Sequence, residues 1–472
     1  MPMSEAVREV VSVLQGRFRG DILRPDDPQF PEVSTIWNGM VARTPGLILR
    51  CENVKDVQAA VRASFTAGAL TAVRCGGHSL AGFSTCEGGV VINLSRMCHV
   101  TVGERSRRAR AGGGCLLGTL DAATQHVGLA YPAGVVSHTG AAGLILGGGT
   151  GWMTRLCGLS CDNVESFQLV CADGSLVLAS EHENPDLFWA LRGGGGNFGI
   201  VTEFSLRLHT CTSVLLCTAW TLGENVASLM RHWREHAPQL PDELKWNISL
   251  TQAPDSAEIP QEFHGAPAAS EAIVWFGDEE RGRRCLDSIL KAGKRVAVKM
   301  KTISFLTLQT MADSDFPHGE RYYTKSGYFY SLSDESIELM LSALAEMPSR
   351  KNQVELAYLG GAAGRVGAHE SAFGDRSAPF IMNLLGHWSS PQQDTQNVAW
   401  VRKLFTNLRP QMKQGVYVNF MSGDEDERVS EAYRDSWKRL IDIKKKYDPK
   451  NFFRLNQNIS GSAVAAIGSA RR

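Results

Sequence analysis

The glycines of this 472-residue chain gather in five clusters that all precede residue 200. The clusters lie at 76–77, 88–89, 112–114, 140–149 and 193–199. A single glycine pair is most often an ordinary turn, but glycine also lets backbone amides approach an anionic ligand closely. Five clusters in one part of the chain favour a domain whose backbone wraps an extended phosphorylated cofactor. A second domain, built more from side-chain packing, is expected to follow.

The predicted secondary structure changes character at about residue 212. Before this point, β-rich runs such as GVVINL alternate with helical runs such as NVKDVQAAVRASFTAGA, for which Asn53 is the predicted N-cap. Beyond it we predict six strands, from SVLLCTAWTL to GVYVNFM at 415–421, with helices at 333–347 and 392–408 between them. This order favours an antiparallel sheet covered on one side by helices. A charged helix over 424–449 follows, and Pro449 ends it.

The charge balance gives no reason to expect nucleic acid or an anionic membrane as a partner, because basic and acidic residues both number 49. We expect a small-molecule substrate, and a monomer or homodimer. The chain has no apolar run long enough to span a bilayer, and its first residues predict an amphipathic helix rather than a signal peptide. The eleven cysteines lack paired metal-ligand spacing, so we expect reduced thiols, no metal site and a cytoplasmic protein.

Two of the glycine clusters superficially match a dinucleotide-binding fingerprint, but neither has the required context. GGGTGW at 147–152 follows a glycine-broken segment, and GGGGNFG at 193–199 precedes the predicted strand IVTEFSLRL. The fingerprint needs a strand before it and a helix after it, because the pyrophosphate binds at the helix N-terminus. No G-x-x-x-x-G-K-[ST] motif is present, so a P-loop nucleotidase is not expected either.

Five stretches carry a resemblance to a known family. They are VRCGGHSLAGFSTCEGGVVINLSRM, YPAGVVSHTGAAGLILGGGTGWMTRLCGLSCDNV, NPDLFWALRGGGGNFGIVTEF, YVNF and KYDPKNFFRLNQNIS. In this order they resemble the berberine bridge enzyme-like branch of the FAD-linked oxidases, which share the vanillyl-alcohol oxidase / p-cresol methylhydroxylase (PCMH) fold. The resemblance implies an α+β protein with a PCMH-type FAD-binding domain of two α/β subdomains at 1–211. It also implies a substrate-binding domain at 212–429, and a C-terminal segment, 430–472, that returns to the FAD-binding domain.

The same resemblance implies where FAD binds. His78, in the R-x-G-G-H motif, would bond covalently to the 8α-methyl carbon of the flavin, and neutral imidazole is a suitable nucleophile for this. Val136 stands where several family members carry a cysteine that forms a second bond, so a single covalent link is expected. The remaining cofactor-binding residues that the motifs imply are Arg74, Cys75, Gly76, Gly77, Ser79, Gly82, Pro132, Gly134, Thr139, Gly140, Gly143, Gly148, Asp162, Asn163, Gly199, Ile200, Val201, Tyr417, Asn419, Asn456 and Asn458.

The implied chemistry is transfer of a hydride from a small alcohol, amine or sugar-like substrate to FAD, with dioxygen then giving hydrogen peroxide. Tyr417 is the first candidate for the base, with Lys325 as a nearby cation that lowers its pKa, and Glu355 is the second. Tyr323, Tyr358 and Asn383 are possible pocket walls. The alternatives are a flavin dehydrogenase with another acceptor, a tailoring oxidoreductase of secondary metabolism and a flavoprotein without redox turnover.

The sequence departs from the plant members of this family at two positions. Ile381 aligns with a catalytic glutamate of those enzymes, and Leu80 follows the G-G-H-S motif where a tyrosine is common. Ring-forming chemistry is therefore not expected. Thr139, near the oxygen-reactive carbon by motif alignment, is compatible with either an oxidase or a dehydrogenase.

Overall fold

The computed structural model describes residues 3–374 and 376–460, which form fifteen α-helices and eighteen strands. The helices are α1 (Glu5–Leu14), α2 (Phe30–Ser34), α3 (Val54–Thr66), α4 (Leu117–Gln125), α5 (Ala141–Leu146), α6 (Thr154–Cys157), α7 (Pro185–Leu191), α8 (Asn225–His236), α9 (Glu279–Leu290), α10 (Phe305–Thr310), α11 (Asp334–Ala345), α12 (Gly361–Arg365), α13 (Asp394–Leu408), α14 (Val429–Tyr433) and α15 (Trp437–Tyr447). The strands are β1 (Asp21–Leu23), β2 (Leu47–Arg50), β3 (Thr71–Arg74), β4 (Val90–Asn93), β5 (Val100–Gly103), β6 (Arg108–Gly112), β7 (Leu129–Ala130), β8 (Val164–Val170), β9 (Leu176–Ser180), β10 (Ile200–Arg207), β11 (His209–Thr210), β12 (Ser213–Leu222), β13 (Leu244–Gln252), β14 (Pro267–Trp275), β15 (Ala297–Ser304), β16 (Arg321–Phe329), β17 (Gln353–Tyr358) and β18 (Phe380–Trp388).

The first 211 residues contain two main sheets. One has the order β1-β2-β4-β3, in which β2 and β3 both run parallel to β4, and α3 connects β2 to β3. The Asn53 side chain accepts hydrogen bonds from the backbone of Lys55 and Asp56, which confirms it as the N-cap of α3. The other sheet is antiparallel, with the order β5-β6-β10-β8-β9. Together with their helices they confirm the predicted α+β architecture.

A seven-stranded antiparallel sheet follows, with the order β15-β12-β14-β13-β17-β18-β16. Helices α8, α9, α11 and α13 pack on one face, over a core rich in tryptophan that includes Trp233, Trp246, Trp275 and Trp388. Side chains alternate between the faces of a strand, so every second residue of β13, β17 and β18 points away from this core. The face without these helices is directed towards the first two sheets.

The segment after β18 differs from the prediction in two places. GVYVNFM is not a strand, because Val418–Phe420 form a 3-10 turn. The predicted single helix over 424–449 is broken into α14 and α15, and Arg434 between them has a φ of 44°. Its helical pattern resumes in α15, which ends at Tyr447, two residues before Pro449. No helix in the described ranges is both long and apolar enough to cross a membrane.

Candidate active site

A cavity of about 490 Å³ lies between the glycine-rich loops of the first sheets and the open face of the seven-stranded sheet. Its walls come from loops at 75–80, 134–143 and 195–201, from β13, β17 and β18, and from segments 417–421 and 453–457. The predicted site residues that line it are Cys75, Gly76, Gly77, His78, Ser79, Gly134, Thr139, Gly140, Gly143, Gly199, Ile200, Val201, Glu355, Tyr417, Asn419 and Asn456. The loop glycines and the strand residues, far apart in sequence, therefore meet at one site.

His78 lies on the loop after β3, and two other imidazoles converge on it. Its Nε2 is 2.7 Å from Nδ1 of His138, and its Nδ1 is 3.5 Å from the Thr139 hydroxyl. Burial, and then the neighbouring charges of His138 and His318, lower the pKa of His78 to about 2. The imidazole is therefore neutral at physiological pH and keeps the lone pair that a nucleophile needs.

The three imidazoles form a cluster that the sequence did not reveal. One ring nitrogen each from His78, His138 and His318 lies within 4.8 Å of the others, a spacing from which a metal ion could be held. The three residues belong to three separate loops, so no local spacing pattern could have predicted that they meet. Trp37 stacks on His78 with ring centroids 4.8 Å apart, and it also stacks on Tyr322 of β16. The loop that carries His78 is thereby fixed against the seven-stranded sheet.

Tyr417 and Asn419 lie together on the cavity wall although the segment is not a strand. The Tyr417 hydroxyl accepts a hydrogen bond from the backbone N–H of Gly149 at 3.0 Å and another from the Asn419 amide at 2.9 Å. Burial raises the pKa of Tyr417 to about 12, although both hydrogen bonds act in the opposite direction. The phenol is therefore protonated at neutral pH, and its oxygen is held by two donors.

The prediction that Lys325 lowers the pKa of Tyr417 is wrong. The Lys325 ammonium lies 3.0 Å from the Asp424 carboxylate and 3.5 Å from the carboxylate of Glu425. It does not line the cavity. Two acidic partners compensate its charge, so Lys325 cannot serve as the cation of the site.

The seven-stranded sheet gives the cavity a polar wall. Glu355 of β17 is paired in register with Asn383 of β18, whose amide donates a hydrogen bond to the Glu355 carboxylate at 2.7 Å. Burial raises the pKa of Glu355, and this hydrogen bond opposes the shift only in part. A carboxylate with a raised pKa is a better proton acceptor, so Glu355 fits the second candidate for the base.

Asn383 lines the cavity as predicted, but the prediction fails for Tyr323 and Tyr358 as cavity walls. Tyr358 follows Ala357 on β17, so its side chain points to the opposite face and packs on Phe380. The Tyr323 hydroxyl donates to Asp424 at 2.7 Å, and Tyr323 packs in the same helix-covered core. Their residue type favours both tyrosines as pocket walls, whereas their positions along the paired strands decide which face of the sheet they occupy.

Eight predicted site residues do not belong to the cavity wall. They are Arg74, Gly82, Pro132, Gly148, Asp162, Asn163, Lys325 and Asn458. The Arg74 guanidinium donates to the backbone carbonyls of Ser34 and Ser84, so it braces the loop of His78 from behind. Gly148 is needed for packing, because a Cβ there would lie 2.5 Å from the Phe373 ring.

Asp162 and Asn163 also have structural partners. The Asp162 carboxylate accepts two hydrogen bonds of 2.7 Å from the guanidinium of Arg376. The Asn163 amide donates to the carbonyl oxygens of Cys157 and Leu159, both at 2.9 Å. These contacts stabilise the turn behind the cavity, and contact of both residues with the adenosine end of the cofactor stays a prediction.

The tail returns to the first sheets, where it is bound by the glycine-rich loop at 193–199. The Asn456 amide donates to the Gly196 carbonyl at 3.0 Å. The fully buried Asn197 donates to the Gln457 carbonyl at 3.1 Å and accepts a hydrogen bond from the Ile459 amide at 3.1 Å. One asparagine side chain therefore binds the tail at two points and holds segment 453–457 against the cavity.

Comparison with known proteins agrees with this arrangement. A model described as "FAD binding domain" matches residues 45–180, and a model described as "Berberine and berberine like" matches residues 416–460. The chain is 31% identical to an uncharacterized FAD-linked oxidoreductase of Bacillus subtilis (strain 168), over 94% of this chain and 97% of the relative. It is also 29% identical to (R)-6-hydroxynicotine oxidase of Paenarthrobacter nicotinovorans, over 93% and 96% of the two chains.

Among solved structures, 6-hydroxy-D-nicotine oxidase from Arthrobacter nicotinovorans superposes with a TM-score of 0.82 at 26% identity, covering 94% of this chain and 98% of that chain. The fold and cavity thus define a flavoprotein oxidoreductase. The chain belongs to the FAD-linked oxidoreductase family, in its berberine bridge enzyme-like branch. The predicted resemblance is confirmed.

The residues of the cavity fit FAD. A Cβ on Gly76 would lie 2.3 Å from the Gly140 nitrogen, and a Cβ on Gly140 would lie 2.4 Å from the Gly76 nitrogen. The two loops can therefore meet only as bare backbone. Beside them Gly143 faces open space, since no atom of the described residues lies within 4 Å of its Cβ position, apart from its chain neighbours and the backbone of its own helix α5. Such a surface leaves room for an extended phosphorylated cofactor next to backbone N–H groups.

Proposed function

We propose that this protein oxidises a small organic substrate, such as an alcohol, an amine or a sugar-like compound, in the cavity. FAD, when bound, accepts the two electrons that the substrate loses, and dioxygen takes them up to give hydrogen peroxide. The observation that carries the proposal is the cavity itself. It has bare glycine backbone and a neutral histidine on one side, and buried hydrogen-bonding side chains of a sheet on the other. The named oxidases among the relatives support it.

The two sides of the cavity are proposed to bind the cofactor and the substrate, respectively. Residues 1–211, with 430–472, hold FAD, and residues 212–429 hold the substrate; residues 1–2 and 461–472 of these ranges lie outside the part of the chain that the structure describes. His78 forms the single covalent bond to the cofactor, and its neutral imidazole supports this role. Val136 lines the cavity where a second, thioether bond would need a cysteine, and valine cannot form one.

Tyr417 remains the first candidate for the base, but it can take the substrate proton only as a phenolate, because the phenol itself is protonated at neutral pH. The oxygen of this phenolate would be fixed at the cavity by two donors. Both donors, the Gly149 N–H and the Asn419 amide, also stabilise a negative charge on that oxygen. Glu355 is the second candidate, since its carboxylate is buried in the same cavity and has a raised pKa. The two candidates are separable by mutation, because they lie on different walls.

The experiment for the function is an anaerobic screen of sugars, amines and polyphenols against the purified holoprotein, followed by its flavin absorbance. We expect one class to bleach the flavin, and air to restore the colour with stoichiometric hydrogen peroxide. Bleaching without peroxide on exposure to air would instead indicate a dehydrogenase. A flavin that no compound reduces would contradict redox function altogether.

The covalent link is tested by proteolytic digestion and mass spectrometry. We expect FAD on the peptide that contains His78 and on no other peptide. In His78→Ala the flavin should be released by acid precipitation, whereas the exposed His182 provides a matched control, His182→Ala, that should retain it. A cysteinyl-flavin peptide, or flavin that remains covalent in His78→Ala, would contradict the assignment.

A further inference from the structure

Lys245 is a buried lysine on the cavity wall whose side chain has no partner among the described residues. Its exposed fraction is 4%, and within residues 3–374 and 376–460 its ammonium group forms no hydrogen bond or ion pair, although its backbone belongs to the ladder between β13 and β14. Other buried lysines of this protein are paired: Lys325 lies 3.0 Å from Asp424, and Lys444 lies 2.7 Å from Asp448. Burial of an ammonium group without a partner is strongly unfavourable. An anionic group of a bound ligand could supply the partner that Lys245 lacks.

The strand pattern directs this side chain into the cavity. Lys245, Asn247 and Ser249 alternate along β13 and all line the cavity, whereas Trp246 packs in the core under the helices. Burial and the positive charge of Arg155 lower the pKa of Lys245 to about 7. A negatively charged ligand would oppose both effects and stabilise the ammonium form.

The register of the sheet fixes the position of Lys245 relative to the proposed base. Asn247 is paired with Ala357, and Ala357 is paired with Ile381. Ile381 and Ala357 belong to the apolar cluster that also contains Tyr417, so this row of the sheet lies under the proposed base. Lys245 is two residues from Asn247 along the strand, which is about 7 Å.

The end of the cavity wall away from Lys245 carries an acidic side chain instead of a basic one. Ser249 lies two residues beyond Asn247 in the other direction and is paired with Glu355, which accepts the hydrogen bond of Asn383. The cavity wall is therefore cationic at one end and carries a partnered carboxyl group at the other. Between them Asn247 offers a buried side-chain oxygen that has no hydrogen-bond partner within the described residues.

We propose, on the basis of the function above, that the substrate is an organic acid whose carboxylate binds Lys245, two residues along β13 from the row of the sheet that lies under the proposed base. One ammonium group matches the charge of one carboxylate, and the short N⁺–H···O⁻ hydrogen bonds between them compensate its burial. Asn247 accepts a hydrogen bond from a donor on the body of the substrate. Lys245 is thus a specificity-determining residue.

The test compares two probes of the same shape, 4-(hydroxymethyl)benzoate and 4-(hydroxymethyl)benzamide. Each is titrated at pH 6.5 into the holoprotein, and binding is followed by flavin absorbance and by calorimetry. We expect the benzoate to bind about ten- to hundredfold more tightly than the benzamide. Lys245→Met keeps a similar volume without the charge and should abolish this preference. Lys301→Met, at an exposed position of β15, is the matched control and should keep it.

Each outcome decides the proposal. Equal affinity for the two probes, or no binding of the benzoate, overturns it. So does a Lys245→Met protein that binds the benzoate as tightly as the parent, even if its flavin is no longer reduced. Failure of the proposed function is a separate result, because it requires that no compound reduces the flavin, whichever probe binds.

Discussion

Asp121→Asn should stabilise the protein increasingly as the pH rises. Asp121 of α4 is fully buried, and Gln309 of α10 donates a 3.0 Å hydrogen bond to its Oδ2, while its Oδ1 has no partner within the described residues. The same Gln309 amide also donates to the carbonyl of Gly134, which lines the cavity. Burial, and then the charge of Asp313, raise the pKa of Asp121 from 3.8 to about 7.

The size of the effect on stability follows from the difference between the pKa of Asp121 in the folded protein and its pKa in the unfolded chain. Between pH 5 and pH 7 the carboxyl group is ionised in the unfolded chain but still protonated in the folded protein. The free energy of unfolding therefore falls with rising pH over this range, by about 1.4 kcal/mol per pH unit, and levels off above the folded pKa. The loss between pH 5 and pH 8 is on the order of 3 kcal/mol. Asparagine has no such charge, and its carbonyl can still accept the Gln309 hydrogen bond.

The assay is urea unfolding at pH 5 and pH 8, followed by tryptophan fluorescence. The stability difference between Asp121→Asn and the parent should be larger at pH 8 by about 3 kcal/mol. Asp287→Asn, at an exposed position of α9, should show the same difference from the parent at both pH values. An Asp121→Asn difference that is equal at the two pH values would refute the reasoning.

Three further outcomes are expected. Tyr417→Phe should keep bound FAD but lower the rate of anaerobic flavin reduction in stopped-flow measurements roughly a hundredfold, as a lost acid-base group does, and an unchanged rate would exclude Tyr417 as the base. Glu355→Gln can still accept the Asn383 hydrogen bond, so its reduction rate should stay near that of the parent; a comparable fall would transfer the role to Glu355. Asn197→Asp places a carboxylate against the carbonyl of Gln457. The free energy that holds the tail should fall by about 2 kcal/mol, so amide hydrogen exchange at Ile459 should be roughly 30-fold faster. Exchange at the parent's rate would show that Asn197 does not secure the tail.

Motifs made of neighbouring residues could be predicted from the sequence. The loop of His78 and glycines from three of the five clusters, 76–77, 140–149 and 193–199, line the cavity, because their role depends on local backbone freedom; the clusters at 88–89 and 112–114 do not line it. The motif resemblance predicts that Asn456, in the tail, lies at the cavity, whereas its residue type alone does not.

Features that depend on the pairing of distant segments could not be predicted. The convergence of His138 and His318 on His78 depends on three loops meeting in space. The prediction of Tyr358 as a pocket wall is wrong, since period-two alternation gives two faces but does not say which one is the cavity. The run KWNIS alternates polar and apolar residues, which predicts that Lys245, Asn247 and Ser249 share one face of a strand but not that this face lines a cavity.

The position of the tail has a consequence for how the protein is made. The Lys444 ammonium donates to the carbonyl of Asn197 at 2.7 Å and to that of Phe453 at 3.0 Å, and residues 453–457 complete the cavity. A ribosome synthesises these residues only after all the glycine-rich loops and the whole seven-stranded sheet. A nascent chain therefore lacks the last wall of this cavity until its synthesis is almost complete.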